Sequence, residues 1–164
     1  MNLLLLKQIG LLGALIGLGM GIISLIPFIG HVLFVLYFLL LSAVIIIYLK
    51  KINILGKITI KEGGIIGAVL GFCSIVAFSI VFIPLAALIQ FIFSFENILL
   101  DVVKFAFTSV SFFFVLIFFM VFLALLCALM NGFSGAVTAY VLEVLEEYKK
   151  GQETSFESRD FEIK

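Results

Sequence analysis

Three long runs without a charged residue constrain this chain more than any other feature of its sequence. Residues 8–49, 63–95 and 105–142 contain no Asp, Glu, Lys or Arg. A helix needs about 20 residues to cross the hydrocarbon layer, and each run is at least that long. The chain is also 65% hydrophobic and only 12% charged, far from the balance of soluble domains. The sequence therefore predicts an all-α integral membrane protein.

Breaks within these runs predict four transmembrane helices. The first run is about twice as long as one crossing requires. Pro27 and Gly30 in its middle favour a turn, because proline cannot continue a helix and glycine accepts unusual dihedrals. Residues 1–132 are therefore predicted to form a four-span membrane domain, arranged as two hairpins. The predicted spans are about 8–27, 31–49, 63–83 and 105–130.

A polar stripe follows Pro84, which is expected to end the third span. Five polar side chains are spaced 4, 3, 4 and 3 residues apart and share one helical face: Gln90, Ser94, Asn97, Asp101 and Lys104. Apolar residues cover the other faces of this segment. Such a helix suits the plane of the membrane surface, so we predict an interfacial helix over about 85–104 on the outer side. The alternative is that this segment caps the bundle or lines a wet vestibule.

The C-terminal part predicts an amphipathic helix outside the membrane. Apolar residues repeat at helical spacing over 133–150, with Glu143, Glu146 and Glu147 on other faces. Asn131 and Gly132 either end the fourth span or lie within a continuing helix. The polar segment 151–164 is predicted to be a flexible tail.

The basic residues predict the orientation of the chain. Four crossings place both termini and the loop between the second and third spans on the same side. That side holds nine of the ten basic residues: Lys7, Lys50, Lys51, Lys57, Lys61, Lys149, Lys150, Arg159 and Lys164. Only Lys104 lies opposite. Positive residues concentrate on the cytoplasmic side, so we expect a cell-membrane protein with both termini in the cytoplasm.

Two rows of glycine are the clearest motif. Glycine recurs every four residues in the first and third spans, at Gly13, Gly17 and Gly21 and at Gly63, Gly67 and Gly71. Rows of small residues let helix backbones approach closely in lipid. The rows predict glycine-zipper helix packing, either within the bundle or between copies of the chain; a substrate path beside the glycines is a further alternative. Similar glycine phrases, each followed by an Ile-Pro pair, also raise the possibility of an internal repeat.

The residues needed for catalysis or for cofactor binding are missing from the sequence. It contains no Ser/His/Asp or Cys/His set and no phosphate-binding loop, so an enzyme is not expected. Cys73 and Cys127 are interpreted as packing residues at different membrane depths, and no metal or cofactor site is predicted. The apolar core lacks the charges of a proton relay. The net charge of zero gives no indication of nucleic-acid binding.

Two functional hypotheses follow from these patterns. The first is a structural or accessory membrane protein that associates through its glycine-lined helix faces. Its partners would be the lipid bilayer and a second copy or another membrane protein, with the helix 133–150 available for contact. The alternative is a subunit of an oligomeric channel or small-solute transporter. A transporter would need a polar cavity reaching the middle of the bilayer, for which the sequence offers Ser74, Ser79, Thr108 and Ser111.

Overall fold

The part of the chain that the structure describes folds into four long helices. The structure is a computed structural model that describes residues 3–26, 29–93 and 110–160, and within these ranges it contains helices and no strand. Each helix includes a segment long and apolar enough to cross a membrane. The prediction of an all-α protein with four such helices is therefore confirmed. The helices are α1 (Leu3–Ile23), α2 (Ile29–Lys51), α3 (Ile60–Phe93) and α4 (Val110–Asp160).

Helix α3 lies at the centre of the packing. It makes its most extensive contacts with α4 and α1, whereas α1 and α2 scarcely touch each other. Gly13 and Gly21 of α1 lie against Leu70 and Phe78 of α3, so these two helices run in the same direction. Successive glycines of α3 meet earlier and earlier residues of α4, so those two helices run in opposite directions. The two-hairpin arrangement predicted from the sequence stays a prediction.

Helix α3 does not end at Pro84, and in this respect the sequence-based expectation was wrong. The helix continues through the proline to Phe93. Proline removes only the hydrogen bond to the carbonyl of Ile80, and membrane helices tolerate that loss where neighbours pack against them. Ala86, fully buried beside Leu25, supplies such packing two residues beyond the proline. Residues 85–93 of the predicted interfacial helix thus belong to α3, and residues 94–104 lie outside the described ranges.

Helix α4 is continuous at the point where the sequence allowed either a helix end or a continuing helix. It passes through Asn131 and Gly132 without a break and reaches Asp160. Residues 151–160, which were predicted to belong to a flexible tail, are therefore part of the helix. A glycine within a helix costs only about 1 kcal/mol, which neighbouring turns can offset. At 1.5 Å per residue, its 51 residues span about 76 Å, more than twice the hydrocarbon thickness.

The surface of the bundle is strongly apolar. The core combines residues from all four helices, among them Ile9, Ile46, Leu70 and Cys127. Many large apolar side chains point outwards instead, including Phe118 with 74% of its surface exposed. Water-soluble proteins rarely expose apolar patches of this extent. The outward apolar faces are therefore those expected of helices in contact with lipid.

Candidate functional site

The glycine row of α1 faces the backbone of α3. A Cβ added at Gly13 would lie 3.0 Å from the Leu70 carbonyl oxygen, and one at Gly21 would lie 3.1 Å from the Phe78 carbonyl oxygen. At Gly17 an added Cβ would overlap the carbonyl oxygen of Ser74. Contacts this close to main-chain atoms leave no space for a larger side chain. The row thus forms the closest approach between α1 and α3.

The glycine row of α3 faces α4 in the same way. An added Cβ would lie 2.6 Å from the Gly135 carbonyl oxygen at Gly63, and 2.5 Å from the Cys127 carbonyl oxygen at Gly71. At Gly67 it would overlap the carbonyl oxygen of Asn131. All six glycines singled out in the sequence therefore lie at contacts between helices of the same chain. The surfaces they line are already occupied.

A matching stripe of small residues on α4 was not recognised in the sequence. Cys127, Asn131, Gly135 and Ala139 recur every four residues and meet the glycines of α3. Three of these residues are fully buried or nearly so, namely Cys127, Asn131 and Ala139. The spacing alone would have identified the stripe, because residues four apart share one helical face. The polar Asn131 concealed it, since asparagine beside glycine suggests a helix end.

Asn131 is the polar centre of the bundle. It is fully buried, and its side-chain amide contacts α2 with both of its polar atoms. The Nδ2 group donates a hydrogen bond of 2.8 Å to the carbonyl of Phe38. The Oδ1 atom accepts a bond of 3.0 Å from the backbone N–H of Ser42. The Ser42 hydroxyl in turn donates to the Asn131 carbonyl at 2.7 Å.

These bonds connect α2 and α4, and a backbone contact adds α3 at the same level. Phe38 and Ser42 are four residues apart, so the Asn131 amide bridges one turn of α2. Nδ2 also lies 3.2 Å from both the carbonyl oxygen and the sulfur of Cys127 on its own helix. Gly67 of α3 contacts the Asn131 backbone from another side. Hydrogen bonds between membrane helices contribute about 0.6 kcal/mol on average and up to about 1.7. We call this group, with Ser42, Gly67 and Cys127, the Asn131 cluster.

The serine hydroxyls of α3 bond to their own helix. Ser74 donates to the Gly71 carbonyl at 3.0 Å, and Ser79 donates to the Ile75 carbonyl at 2.7 Å. The Ser79 hydroxyl also lies 3.2 Å from the Met120 sulfur of α4. Within the described part of the chain, the buried hydroxyls of Tyr37 and Ser24 have no hydrogen-bond partner. Of the other residues considered for a transport path, Thr108 lies outside the described ranges and the backbone of Ser111 belongs to α4.

An apolar groove separates the C-terminal half of α3 from the N-terminal part of α4. Its volume is about 380 Å³, and Ser79 is the one polar residue among the described residues that line it. The groove opens towards exposed side chains such as Ile80, 66% of whose surface is accessible. Its shape suits an apolar chain rather than a polar solute. Its main lining residues are Val76, Ile80, Ile83, Pro84, Phe113 and Met120.

One end of the bundle carries the described lysines, and we call it the lysine end. Lys50 at the end of α2 forms an ion pair with Glu146 of α4, which brings these two helices together there. Exposed tyrosines accompany the lysines at this end, as is typical of a membrane–water boundary. They are Tyr48, Tyr140 and Tyr148. Of the predicted polar stripe, Gln90 lies in α3 near the opposite end, and Ser94, Asn97, Asp101 and Lys104 lie outside the described residues.

The described residues offer no group of three His, Cys, Asp or Glu side chains that could hold a metal ion. Cys73 and Cys127 are free thiols, the first half-buried beside Gly10 and the second fully buried. The chain matches no known family model, no curated protein and no solved structure. Its function must therefore be inferred from the arrangement of its own helices.

Proposed function

We propose that this chain is a small multi-pass membrane protein with a structural or accessory role. The observation that carries this proposal is the Asn131 cluster. It brings α2, α3 and α4 together at one level and satisfies the buried polar groups of Asn131 and Ser42 within the protein. Because these polar groups bond to one another, the centre of the bundle suits a stable structural role better than a transport pathway.

The glycine-lined faces support this role as packing surfaces within the bundle. Since α3 covers the row of α1, and α4 covers the row of α3, neither row is open to another chain. A partner would therefore bind a different surface. We propose that it binds α4 beyond Ala139, a residue that lies level with Gly63 at the start of α3.

This part of α4 projects from the lysine end. From Ala139 to Asp160 the helix extends about 32 Å at 1.5 Å per residue. Its base is held to α2 by the Lys50–Glu146 ion pair. Tyr140, Val144 and Tyr148 are exposed along it at intervals of four residues. A partner helix could pack along such a stripe.

We further propose that the lysine end faces the cytoplasm of a cell in whose plasma membrane the protein resides. Lys50, Lys51, Lys57 and Lys61 surround the short loop between α2 and α3, where basic residues influence orientation most. An impermeant thiol reagent should modify a Lys57→Cys variant only after the membrane is opened. Modification in intact cells would contradict this orientation. The wild-type chain, with its buried and half-buried thiols, is the control.

The alternative role, a subunit of an oligomeric channel or small-solute transporter, is favoured by one observation. The hydroxyls of Tyr37 and Ser24 are buried without a hydrogen-bond partner among the described residues, and such groups often mark sites for water or solute. However, Ser74 bonds to its own helix, and Ser79 bonds to its own helix and to the sulfur of Met120, which leaves neither hydroxyl free to line a path.

Reconstitution into liposomes distinguishes the two roles. We expect ion and small-solute efflux equal to that of protein-free liposomes, because the Asn131 cluster closes the centre. Efflux that depends on the protein and falls in a Tyr37→Phe variant would establish transport instead. In parallel, a photo-crosslinker at Val144 should yield a defined protein adduct. The same crosslinker at the lipid-facing Phe118 is the matched control and should yield lipid adducts.

A further inference from the structure

The loop 52–59 between α2 and α3 is held firmly where it leaves α2. Asn53 adopts a left-handed conformation with φ of 57°, which asparagine tolerates better than most residues. The N–H of Ile54 bonds to the Leu49 carbonyl at 3.1 Å, and that of Asn53 bonds to the Lys50 carbonyl at 3.0 Å. This pair of bonds is the Schellman motif that ends many helices.

The loop is held equally firmly where it enters α3. The Glu62 carboxylate accepts hydrogen bonds from the backbone N–H of Thr59 at 3.2 Å and from its hydroxyl at 3.1 Å. The Glu62 N–H donates to the Thr59 hydroxyl at 3.3 Å. This reciprocal arrangement is a capping box. With Leu55 and Ile58 buried between the two caps, the loop is a preorganised surface.

This loop presents lysines and exposed apolar side chains together. Lys51, Lys57 and Lys61 are exposed around it. Ile52 and Ile54 are 44% and 55% exposed, respectively, although other isoleucines of this chain are buried. We call these five residues the basic loop surface.

Among the described residues, no acidic side chain forms an ion pair with Lys51, Lys57 or Lys61. The Glu62 carboxylate bonds to Thr59, and that of Glu146 pairs with Lys50. Glu143 and Glu147 are exposed on α4. An anion at the membrane surface is therefore attracted by Lys57 on the loop and by Lys51 and Lys61 at the adjoining helix ends.

In a bilayer that covers the uncharged run beginning at Gly63, the basic loop surface would lie at the level of the lipid headgroups. Gly63, two residues after Lys61, begins an uncharged run and contacts Gly135 and Ala139 of α4. Exposed Tyr48 and Tyr140 lie at the same end, where aromatic side chains mark the boundary between hydrocarbon and water. Lysines just beyond this boundary reach the phosphate layer.

We propose that the basic loop surface binds the headgroups of anionic phospholipids. Lys51, Lys57 and Lys61 contact the phosphates, and Ile52 and Ile54 enter the adjoining acyl region. Each lysine near an anionic membrane surface contributes about 1 kcal/mol. The two caps hold these groups in place before the lipid arrives, which limits the entropy lost on binding. This inference requires a membrane-embedded bundle and is independent of the structural role proposed above.

The test uses the full-length protein, delipidated in a neutral detergent. Native mass spectrometry measures the retention of added phosphatidylglycerol and phosphatidylcholine, and circular dichroism follows thermal unfolding with each lipid. We expect preferential retention of phosphatidylglycerol, with a higher unfolding temperature. The preference should weaken when salt is raised to about 0.5 M, because salt screens exposed charges.

A triple variant, Lys51→Gln, Lys57→Gln and Lys61→Gln, removes the charges of the loop. Three contacts of about 1 kcal/mol correspond to a fall in relative affinity on the order of 100-fold. The matched control is Lys149→Gln on the projecting part of α4, which should keep the preference. Unfolding without lipid shows whether the triple variant is folded. If it is not, the single variant Lys57→Gln takes its place, with an expected fall of about fivefold.

Several outcomes would overturn the proposal. Equal retention of the two lipids by the wild type would exclude a headgroup preference. An unchanged preference in the lysine variants, or an equal loss in Lys149→Gln, would mean that the loop is not the site. Stabilisation by inorganic phosphate equal to that by phosphatidylglycerol would indicate a site for the free anion rather than for the lipid.

Discussion

The interface between α3 and α4 has two halves that differ in how closely the helices approach. In the closed half, Gly63, Gly67 and Gly71 meet the backbone of the small-residue stripe on α4. In the open half, from Val76 to Pro84, bulky side chains meet those of Phe113–Met120 and leave a groove of about 380 Å³. The same two helices thus form a dense contact at one end and an incomplete one at the other.

This difference shows that the size of the side chains, rather than their hydrophobicity, determines the packing. Both halves are apolar, and in lipid apolar side chains gain little by leaving one neighbour for another. Glycine brings two backbones together, and dispersion contacts then accumulate over many atoms. The closed half also contains Asn131, whose bonds to Phe38 and Ser42 add α2 to the contact. The following predictions test whether stability resides in the closed half.

Gly67→Ala should have the largest effect. Its Cβ would overlap the carbonyl oxygen of Asn131, a backbone atom that can move only if α4 moves. We expect the free energy of unfolding to fall by about 2–3 kcal/mol, the upper part of the usual range of about 1–3 kcal/mol for overpacking. The measurement is titration with a denaturing detergent, followed by circular dichroism.

The matched control for this change is Gly64→Ala on the same helix. The nearest atoms to its added Cβ lie at 3.7 Å, an ordinary contact distance. Its stability should stay within about 0.5 kcal/mol of the wild type or rise slightly, because alanine favours helix more than glycine does. Similar losses in both variants would show that the close approach in the closed half is unimportant.

Asn131→Ala should have the next largest effect. It removes two hydrogen bonds to α2 and leaves the Phe38 carbonyl without its bond from Asn131. Since each bond between membrane helices contributes about 0.6–1.7 kcal/mol, we expect a loss of about 1–2 kcal/mol. Ser42→Ala, which removes one bond, should lose about 0.6 kcal/mol. The double variant should lose about the sum of the two, because each change removes bonds that the other leaves in place; wild-type stability in both single variants would contradict the cluster.

Ile80→Ala in the open half should change stability by less than about 0.5 kcal/mol. Its side chain is 66% exposed and contacts lipid whether or not the bundle is formed. Ile75 on the same helix is only 1% exposed, and Ile75→Ala should cost about 2 kcal/mol by leaving a cavity. Equal losses at these two positions, measured by the same detergent titration, would mean that the open half is as well packed as the closed half.

Lys50→Gln should have the smallest effect. The ion pair with Glu146 joins side chains that are 20% and 39% exposed, so solvent screens much of their attraction. We expect a loss of at most about 0.5 kcal/mol, which disappears in about 0.5 M salt. A larger loss that persists in salt would mean that contacts outside the closed half also contribute substantially to the stability of the bundle. Lys149→Gln, at an exposed position on α4, controls for the change in net charge.

Several features could be predicted because they depend on short stretches of sequence. The uncharged runs predicted four apolar helices, and the spacing of Gly13, Gly17 and Gly21 identified the face that meets α3. Helix ends were less predictable. Pro84 was expected to end α3, but the burial of Ala86 beyond it keeps the helix intact. The end of α4 was missed because Gly151 weakens a helix by too little to stop it.

What the sequence by itself determined is the number of long apolar helices and their need for a lipid environment, because length and apolarity are local properties. Only the tertiary structure decided which helix each glycine row meets, since a row of small residues fits any backbone that comes close enough. The role of Asn131 was decided in the same way. Its partner Ser42 lies 89 residues earlier in the chain, and the two meet because α2 packs directly against α4.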